Sequence, residues 1–367
     1  MFKRLKQKFL EDSSLSLWAY LFVSTAVAIH KYFTNKLANY MTFSGSFKDM
    51  MAGLNPYYQV LEYKYSPAFS MFMGSMAILP DLLGAILWNA LNTILFYIGV
   101  SRLKIDQRSK VFILGFVIFE YMTSIQNLQS NVMMLGLMLI AFNMFEKNKT
   151  ISASFLSVSL FFLKIFGAAI AILFIFYKRK RRFILFSILW TIVLIFIPLI
   201  LVDWDFFMLL YKSWWDVVVN DFSATTGVSV MSIVNLIHPV KKEYLQLASL
   251  MILSLPLVLK FKKFEFYKYR LGFTASILIW MIIFNHKAES PTYIIAVTGV
   301  ALWYVISKRT MLNIILIAMV FIFTTLSPTD LFPKIIFKHV NYNIVKALPC
   351  ILVWIKLQVD LLSQRFD

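Results

Sequence analysis

Residues 151–200 read ISASFLSVSLFFLKIFGAAIAILFIFYKRKRRFILFSILWTIVLIFIPLI. Apolar runs at 151–163, 165–177 and 183–202 are interrupted by one lysine, Lys164, and by the cationic block Lys178, Arg179, Lys180, Arg181, Arg182. A soluble core does not take in this much apolar chain in one sweep. A bilayer does, at about 20 apolar residues per crossing.

Further apolar runs lie outward from this stretch at 17–33, 66–80, 81–100, 111–126 and 131–145, then at 227–238, 244–260, 271–285, 291–307, 311–327 and 344–358. Hydrophobic residues make up 60% of the chain and charged ones 15%, against about 45–50% and about 25% in soluble domains. Mean hydropathy is +0.74. The 36 Phe, 17 Tyr and 9 Trp suit lipid-facing helices with aromatic belts at their ends. This composition excludes a water-soluble enzyme, a disordered chain and a collagenous one. The expected fold is all-α: a polytopic transmembrane helical bundle of about 10–12 spans, forming one integral membrane domain over 1–367. Within it, 34–80 is an outer loop with juxtamembrane helices and 81–358 the remaining bundle.

The net charge of +18 does not point to nucleic acid. Most Lys and Arg fall in short clusters between apolar runs, at 3–8, 102–110, 147–149, 178–182, 260–270 and 308–309, which is the positive-inside pattern. Placing these clusters in the cytoplasm makes 66–80 a juxtamembrane, amphipathic helix and 81–100 the true span. It also sends 151–177 out and back as two short helices with Lys164 at the outer tip. Basic Met1–Lys8 followed by apolar Leu17–Ala28 resembles a signal peptide in part, but Glu11, Asp12 and the long lead-in indicate an uncleaved first span. The single cysteine, Cys350, permits no intramolecular disulfide, and no metal-ligand spacing is present.

On this topology the polar residues collect on the outward segments. Asp49 and Glu62, in the long 34–65 segment, are candidate general bases, with solvated loop carboxylates as the plain alternative. Lys164 lies between Phe161-Phe162-Leu163 and Ile165-Phe166; it either snorkels at a helix end or contacts an anion. Gln129 and Asn131 are polar ligand contacts, or Ser130 and Asn131 cap the next helix. His286, in FNHKAESPTY with Glu289, is an interfacial residue or an acid–base group. Trp214 and Trp215, in KSWWD, form an aromatic belt or a platform for a sugar ring. A cation, carboxylates, amides, a histidine and aromatics on one face fit sugar recognition beside a phosphate leaving group. No Gly-rich phosphate loop, HExxH or nucleophile elbow appears in the chain.

Four stretches carry a family resemblance: NPYYQVLEYKYSPAFSMFMGSMAILPDLLGAILWNALN (55–92), QSNVMMLGLMLIAF (129–142), FLKIFGAAIAILFIFYKRKRR (162–182) and FNHKAESPTYIIAVTGVALWY (284–304). In order and spacing, over about residues 17–310, the chain resembles bacterial polyprenyl-phosphate-mannose-type mannosyltransferases. These are integral membrane glycosyltransferases of the C-type (GT-C) fold. The resemblance implies inverting transfer of a hexose, usually mannose, from a polyprenyl-phosphate sugar at the outer face of a bacterial inner membrane. The acceptor is a lipid-linked or envelope glycan, the partners are membrane lipid, donor and acceptor, and the only cofactor-like molecule is the donor substrate itself, with no metal. It places Lys164 on the donor phosphate, Gln129 and Asn131 on sugar or acceptor, and Lys64 with Tyr65 at the mouth of the site. Trp215 and Glu289 join as further substrate contacts. Where the family carries its early outer-loop Asp, this chain has Asn39, and an amide is no base at neutral pH. The base is then Asp49, Glu62 or His286, or the chain has lost transfer activity. A transporter of lipid-linked sugars and an inactive glycolipid-binding partner are the competing readings.

Overall fold

The computed structural model describes residues 13–59, 63–221 and 227–363. Among the described residues the chain is helical without strands, an all-α polytopic membrane bundle. In order come α1 (Ser13–Phe33), α2 (Ala38–Met51), α3 (Pro56–Gln59), α4 (Pro67–Ala77), α5 (Asp81–Ser101), α6 (Gln107–Phe116), α7 (Ile118–Gln126), α8 (Asn131–Glu146) and α9 (Thr150–Leu163). A 3-10 segment, Ile165–Phe176, precedes α10 (Lys180–Phe196), α11 (Trp204–Asp221), α12 (Val230–Ile237) and α13 (Lys242–Leu259). The last helices are α14 (Tyr267–Ile283), α15 (Tyr293–Ile306), α16 (Met311–Met319), which runs into a π-helical turn over Val320–Thr325, and α17 (Tyr342–Leu362).

The chain divides into two compact units, one of Met1–Lys104 with Ile125–Ala224, the other of Ile105–Ser124 with Thr225–Asp367. In the first unit α5 packs on α8 and on α1. Close approach of α5 and α8 depends on Gly136, where a Cβ would come within 2.5 Å of the Leu95 carbonyl carbon; small residues at such crossings let helix backbones meet in a membrane. Asn143 of α8 donates to the Gly99 carbonyl at 3.1 Å, and Lys104 lies 3.9 Å from Glu146. The basic clusters at 102–104 and 147–149 therefore share one end of this helix pair. In the second unit α14 packs on α15, which brings the clusters at 267–270 and 308–309 to one end in the same way.

Residues 66–80 form a helix separate from the one over 81–100, but not an amphipathic one. Ser66 caps α4 by accepting from the Phe69 N–H at 3.2 Å, with Pro67 in the first turn, and Pro80 starts the separate helix α5. Yet α4 carries no charged residue and is largely buried, packing on α2. It is an embedded helix rather than an amphipathic one, because α2 supplies the cover that a membrane surface was expected to give.

Residues 150–177 double back as expected. Lys164 breaks the helix in an extended conformation (φ −152°, ψ 123°). The returning strand of chain brings Tyr177 to donate to the Glu146 carboxylate and to stack on Phe145 at 5.3 Å. The return is 3-10 rather than α, and its 12 residues rise about 24 Å at about 2.0 Å each. The outgoing 14-residue α9 rises about 21 Å at 1.5 Å each. The stretched geometry lets the shorter arm match the longer.

Three helices are long and apolar enough to cross a bilayer unaided among the described residues: Asp81–Ser101, Lys180–Ile200 and Lys242–Leu259. The apolar runs at 131–145, 151–163, 165–177, 291–307 and 311–327 are shorter helices. Asn131–Glu146 and Tyr293–Ile306 are almost wholly buried by their neighbours, so burial within the bundle shelters what lipid was expected to cover.

Candidate functional site

At the turn between α9 and the 3-10 arm, the Lys164 ammonium donates to Asn131 Oδ1 at 2.8 Å and stands 5.6 Å from the centre of the Tyr65 ring. Asn131 in turn donates from Nδ2 to Gln129 Oε1. The Tyr65 hydroxyl meets Ser130 Oγ at 3.0 Å, and its ring stacks on Phe69 at 4.4 Å and edges Phe43 at 4.8 Å. Thus four of the expected site residues, Tyr65, Gln129, Asn131 and Lys164, form one cluster at one end of the first unit. Asn131 is buried and the others are half-buried.

The local structure explains the arrangement. Ser130, at the N-cap of α8, makes no side-chain cap bond; Asn92 of α5 supplies the acceptor instead, taking the Met133 N–H on Oδ1 at 2.8 Å. That releases Ser130 to Tyr65 and Asn131 to Lys164. The preceding turn is held by Leu128 in the left-handed region (φ 49°), whose carbonyl accepts from buried Trp88 Nε1 at 2.8 Å. Ser66 also donates to the Phe162 carbonyl at 2.6 Å, tying the segment that carries Tyr65 to the segment that carries Lys164.

Asn39 joins the same end of the unit, donating from Nδ2 to the Asn127 carbonyl at 2.7 Å. A carboxylate at this position has no proton to give that carbonyl, so the amide has a bonding role of its own. Asp49 lies ten residues further along α2, about 15 Å away at 1.5 Å per residue, and is not part of the cluster around Asn39. Burial raises its carboxyl above the usual range. Beside it, Lys48 makes an exposed ion pair with Asp81 at 3.4 Å. Glu62 lies outside the described residues.

Lys64 is exposed, and its carbonyl accepts from Trp214 Nε1 at 3.3 Å. Of the tandem tryptophans it is Trp214 that packs inward, its ring parallel to Phe162 at 6.4 Å. Trp215 is 64% exposed on α11. His286 and Glu289 belong to the second unit, in a segment fixed by main-chain bonds from Gly227 to the His286 carbonyl at 2.6 Å and from Val228 to the Ala288 carbonyl at 2.7 Å. Tyr293 adds a bond from its hydroxyl to the Val228 carbonyl at 2.8 Å.

The sequence reading missed a second ionic feature. Lys346 of α17 and Glu120 of α7, both fully buried in the second unit, pair at 2.8 Å. The same ammonium donates to the Thr324 carbonyl at 3.1 Å and lies 5.0 Å from the Tyr293 ring centre. Thr324 returns a bond from Oγ1 to the Lys346 carbonyl at 2.7 Å. The π-helical turn at 320–325 and α17, which contains Pro349, thereby satisfy each other's backbone groups, as irregular helices inside a membrane require. The signal was present in the sequence: each residue is ionisable within an apolar run, the feature that marks Lys164.

The sequence pattern of glycosyltransferase family 87 matches residues 63–328. Lys64, Tyr65, Gln129, Asn131, Lys164, Trp215, His286 and Glu289 fall inside that span, while Asn39, Asp49, Glu62 and Lys346 fall outside it. No curated protein and no solved structure matches the chain.

Proposed function

The chain belongs to glycosyltransferase family 87, a family of GT-C-like membrane glycosyltransferases, and on that premise we propose that it moves a hexose, mannose in the first instance, from a polyprenyl-phosphate donor to a lipid-linked or envelope glycan. The observation that carries the proposal is the Lys164–Asn131–Gln129 relay beside Tyr65. It combines a cation suited to a departing lipid phosphate with amides and an aromatic face suited to a sugar.

The acceptor hydroxyl attacks the anomeric carbon from the side opposite the phosphate, the glycosidic C–O bond to phosphate breaks, and configuration inverts. Lys164 stabilises the charge that grows on the leaving phosphate, which is where electrostatic assistance lowers the barrier most. Gln129 and Asn131 hold the sugar, and Lys64 lines the mouth. The acceptor proton passes to a carboxylate. Asp49 and Glu62 are the candidate carboxylates: Asp49 is set back along α2, and Glu62 lies outside the described residues. The reaction takes place at the periplasmic face of a bacterial inner membrane.

Purified protein in liposomes, given a panel of polyprenyl-phosphate hexoses and an envelope-lipid extract, tests this reading through the appearance of glycosylated lipid. Asp49→Ala and Glu62→Ala are run beside the wild type, and the one that abolishes transfer identifies the base. Donor binding with no transfer from any hexose would replace the reading with an inactive partner. Donor translocation without transfer would favour a transporter, the reading to which the helix break at Lys164 lends itself.

A further inference from the structure

The end of the 150–177 hairpin opposite Lys164 carries a feature that sugar transfer does not use. There the fold joins two basic loops that are about 30 residues apart in sequence: Lys147 and Lys149 on one, Lys178, Arg179, Lys180, Arg181 and Arg182 on the other. All seven side chains are exposed. The loops meet because the chain turns tightly at Asn148 (φ 53°) and because Tyr177 donates to Glu146. Between them lies a shallow cleft walled by Phe145, Phe174, Tyr177 and Phe183, with Thr150 and Arg179 at its rim. Its walls are ordered by ring stacking, Phe174 on Phe183 at 5.1 Å and Phe145 on Tyr177 at 5.3 Å.

Seven like charges drawn to one helix end repel one another and attract anions, and a basic pocket between membrane helices is suited to an acidic lipid headgroup. The apolar side is also provided. From the cleft, α10 is apolar and exposed around most of its surface, Ile184, Leu189 and Val193 included, and Leu185, Ile188 and Ile192 form one exposed stripe of it at helical spacing. A soluble anion gains nothing from that stripe, whereas an acyl chain lies along it.

We propose that this cleft is a binding site for an anionic glycerophospholipid, its phosphate among the cations of 178–182 and 147–149, its glycerol backbone against the aromatic wall and one chain along α10. The site is separate from the donor site, since the 14 residues of α9 place the two about 21 Å apart along the helix. It does not depend on the chemistry proposed for Lys164.

Native mass spectrometry of the full chain in neutral detergent, titrated with phosphatidylglycerol or phosphatidylcholine, tests the proposal. The wild type is expected to retain phosphatidylglycerol preferentially. The variant Arg179→Gln/Arg181→Gln/Arg182→Gln should bind it roughly 100-fold more weakly, because one basic residue near an anionic surface contributes about fivefold. The control Lys260→Gln/Lys262→Gln/Lys263→Gln, which neutralises a different basic cluster, should bind as the wild type does. Equal retention of both lipids overturns the proposal, as does an equal loss in the control variant, which would mean unspecific attraction. Displacement of phosphatidylglycerol by inorganic phosphate at similar concentration would also overturn it in favour of a bare anion site, and stronger retention of polyprenyl phosphate in favour of a donor path. Thermal unfolding of each variant verifies that it is folded.

Discussion

Lys346 and Lys164 both interrupt apolar sequence, one in the second unit and one in the first. Lys346 has no exposed surface, pairs with a carboxylate that is equally buried, and also serves a backbone carbonyl and a tyrosine face. Lys164 is half-buried at a helix break and donates to an amide oxygen, which carries no charge. The bond to Glu120 cancels a charge, whereas the bond to Asn131 orients one. Position in an apolar run identifies both lysines as exceptional; the partners described for them differ, a buried carboxylate for Lys346 and an amide oxygen for Lys164, and the phosphate role proposed for Lys164 is what the following variants test.

Breaking the buried pair is expected to have the largest effect. Glu120→Ala leaves Lys346 buried beside no carboxylate and should lower stability by about 3–5 kcal/mol, read by thermal unfolding in detergent. Replacing both partners, Glu120→Leu/Lys346→Leu, should recover most of that loss, since apolar substitutes for a buried pair are often neutral or better. A double variant as unstable as the single one would show that the pair matters for its geometry rather than its charge.

Lys164→Ala should act the other way, lowering transfer about 100-fold or more with little change in unfolding temperature. Lys212→Ala, an exposed lysine on α11, should leave transfer nearly unchanged; equal effects would remove the phosphate role. Asn131→Ala is expected to cost less, about tenfold, the equivalent of one hydrogen bond of about 1.4 kcal/mol.

How far the sequence could have led differs between these regions. Lys164, the helix break around it and the out-and-back course of 150–177 were legible because an ionisable residue and a dense basic loop punctuate an otherwise apolar run. Gln129 and Asn131 were legible as polar groups at a turn, but not their release from capping, since that depends on Asn92 of another helix. Asn39 was legible as a departure from the family pattern. Its bond to the Asn127 carbonyl was not, because a backbone acceptor leaves no mark on the sequence. Trp214 and Trp215 are neighbours about 100° apart on a helix, and only packing decides which one turns inward. Glu120 and Lys346 were visible one at a time, yet nothing local joins residues 226 apart.

The smallest expected effect concerns pH. Burial raises the Asp49 carboxyl, so folded Asp49 holds its proton more tightly than unfolded Asp49 does. Its contribution favours the fold below the unfolded value and is lost as pH rises through the raised folded value. Asp49→Asn should therefore stabilise slightly at about pH 7 and not at about pH 3, read by unfolding temperature at the two pH values. A stabilisation independent of pH would mean that the carboxylate's charge is not the cause.

The contrast between the two lysines is tested most directly by one measurement. Hexosyl transfer from a polyprenyl-phosphate donor, normalised to folded protein, is compared for Lys164→Ala and for Glu120→Leu/Lys346→Leu in the same liposomes. The account predicts that Lys164→Ala loses transfer by about 100-fold or more while the double variant stays near the wild-type rate. Full transfer by Lys164→Ala, with the double variant folded but inactive, would contradict it and move the phosphate contact from the first unit to the buried pair of the second.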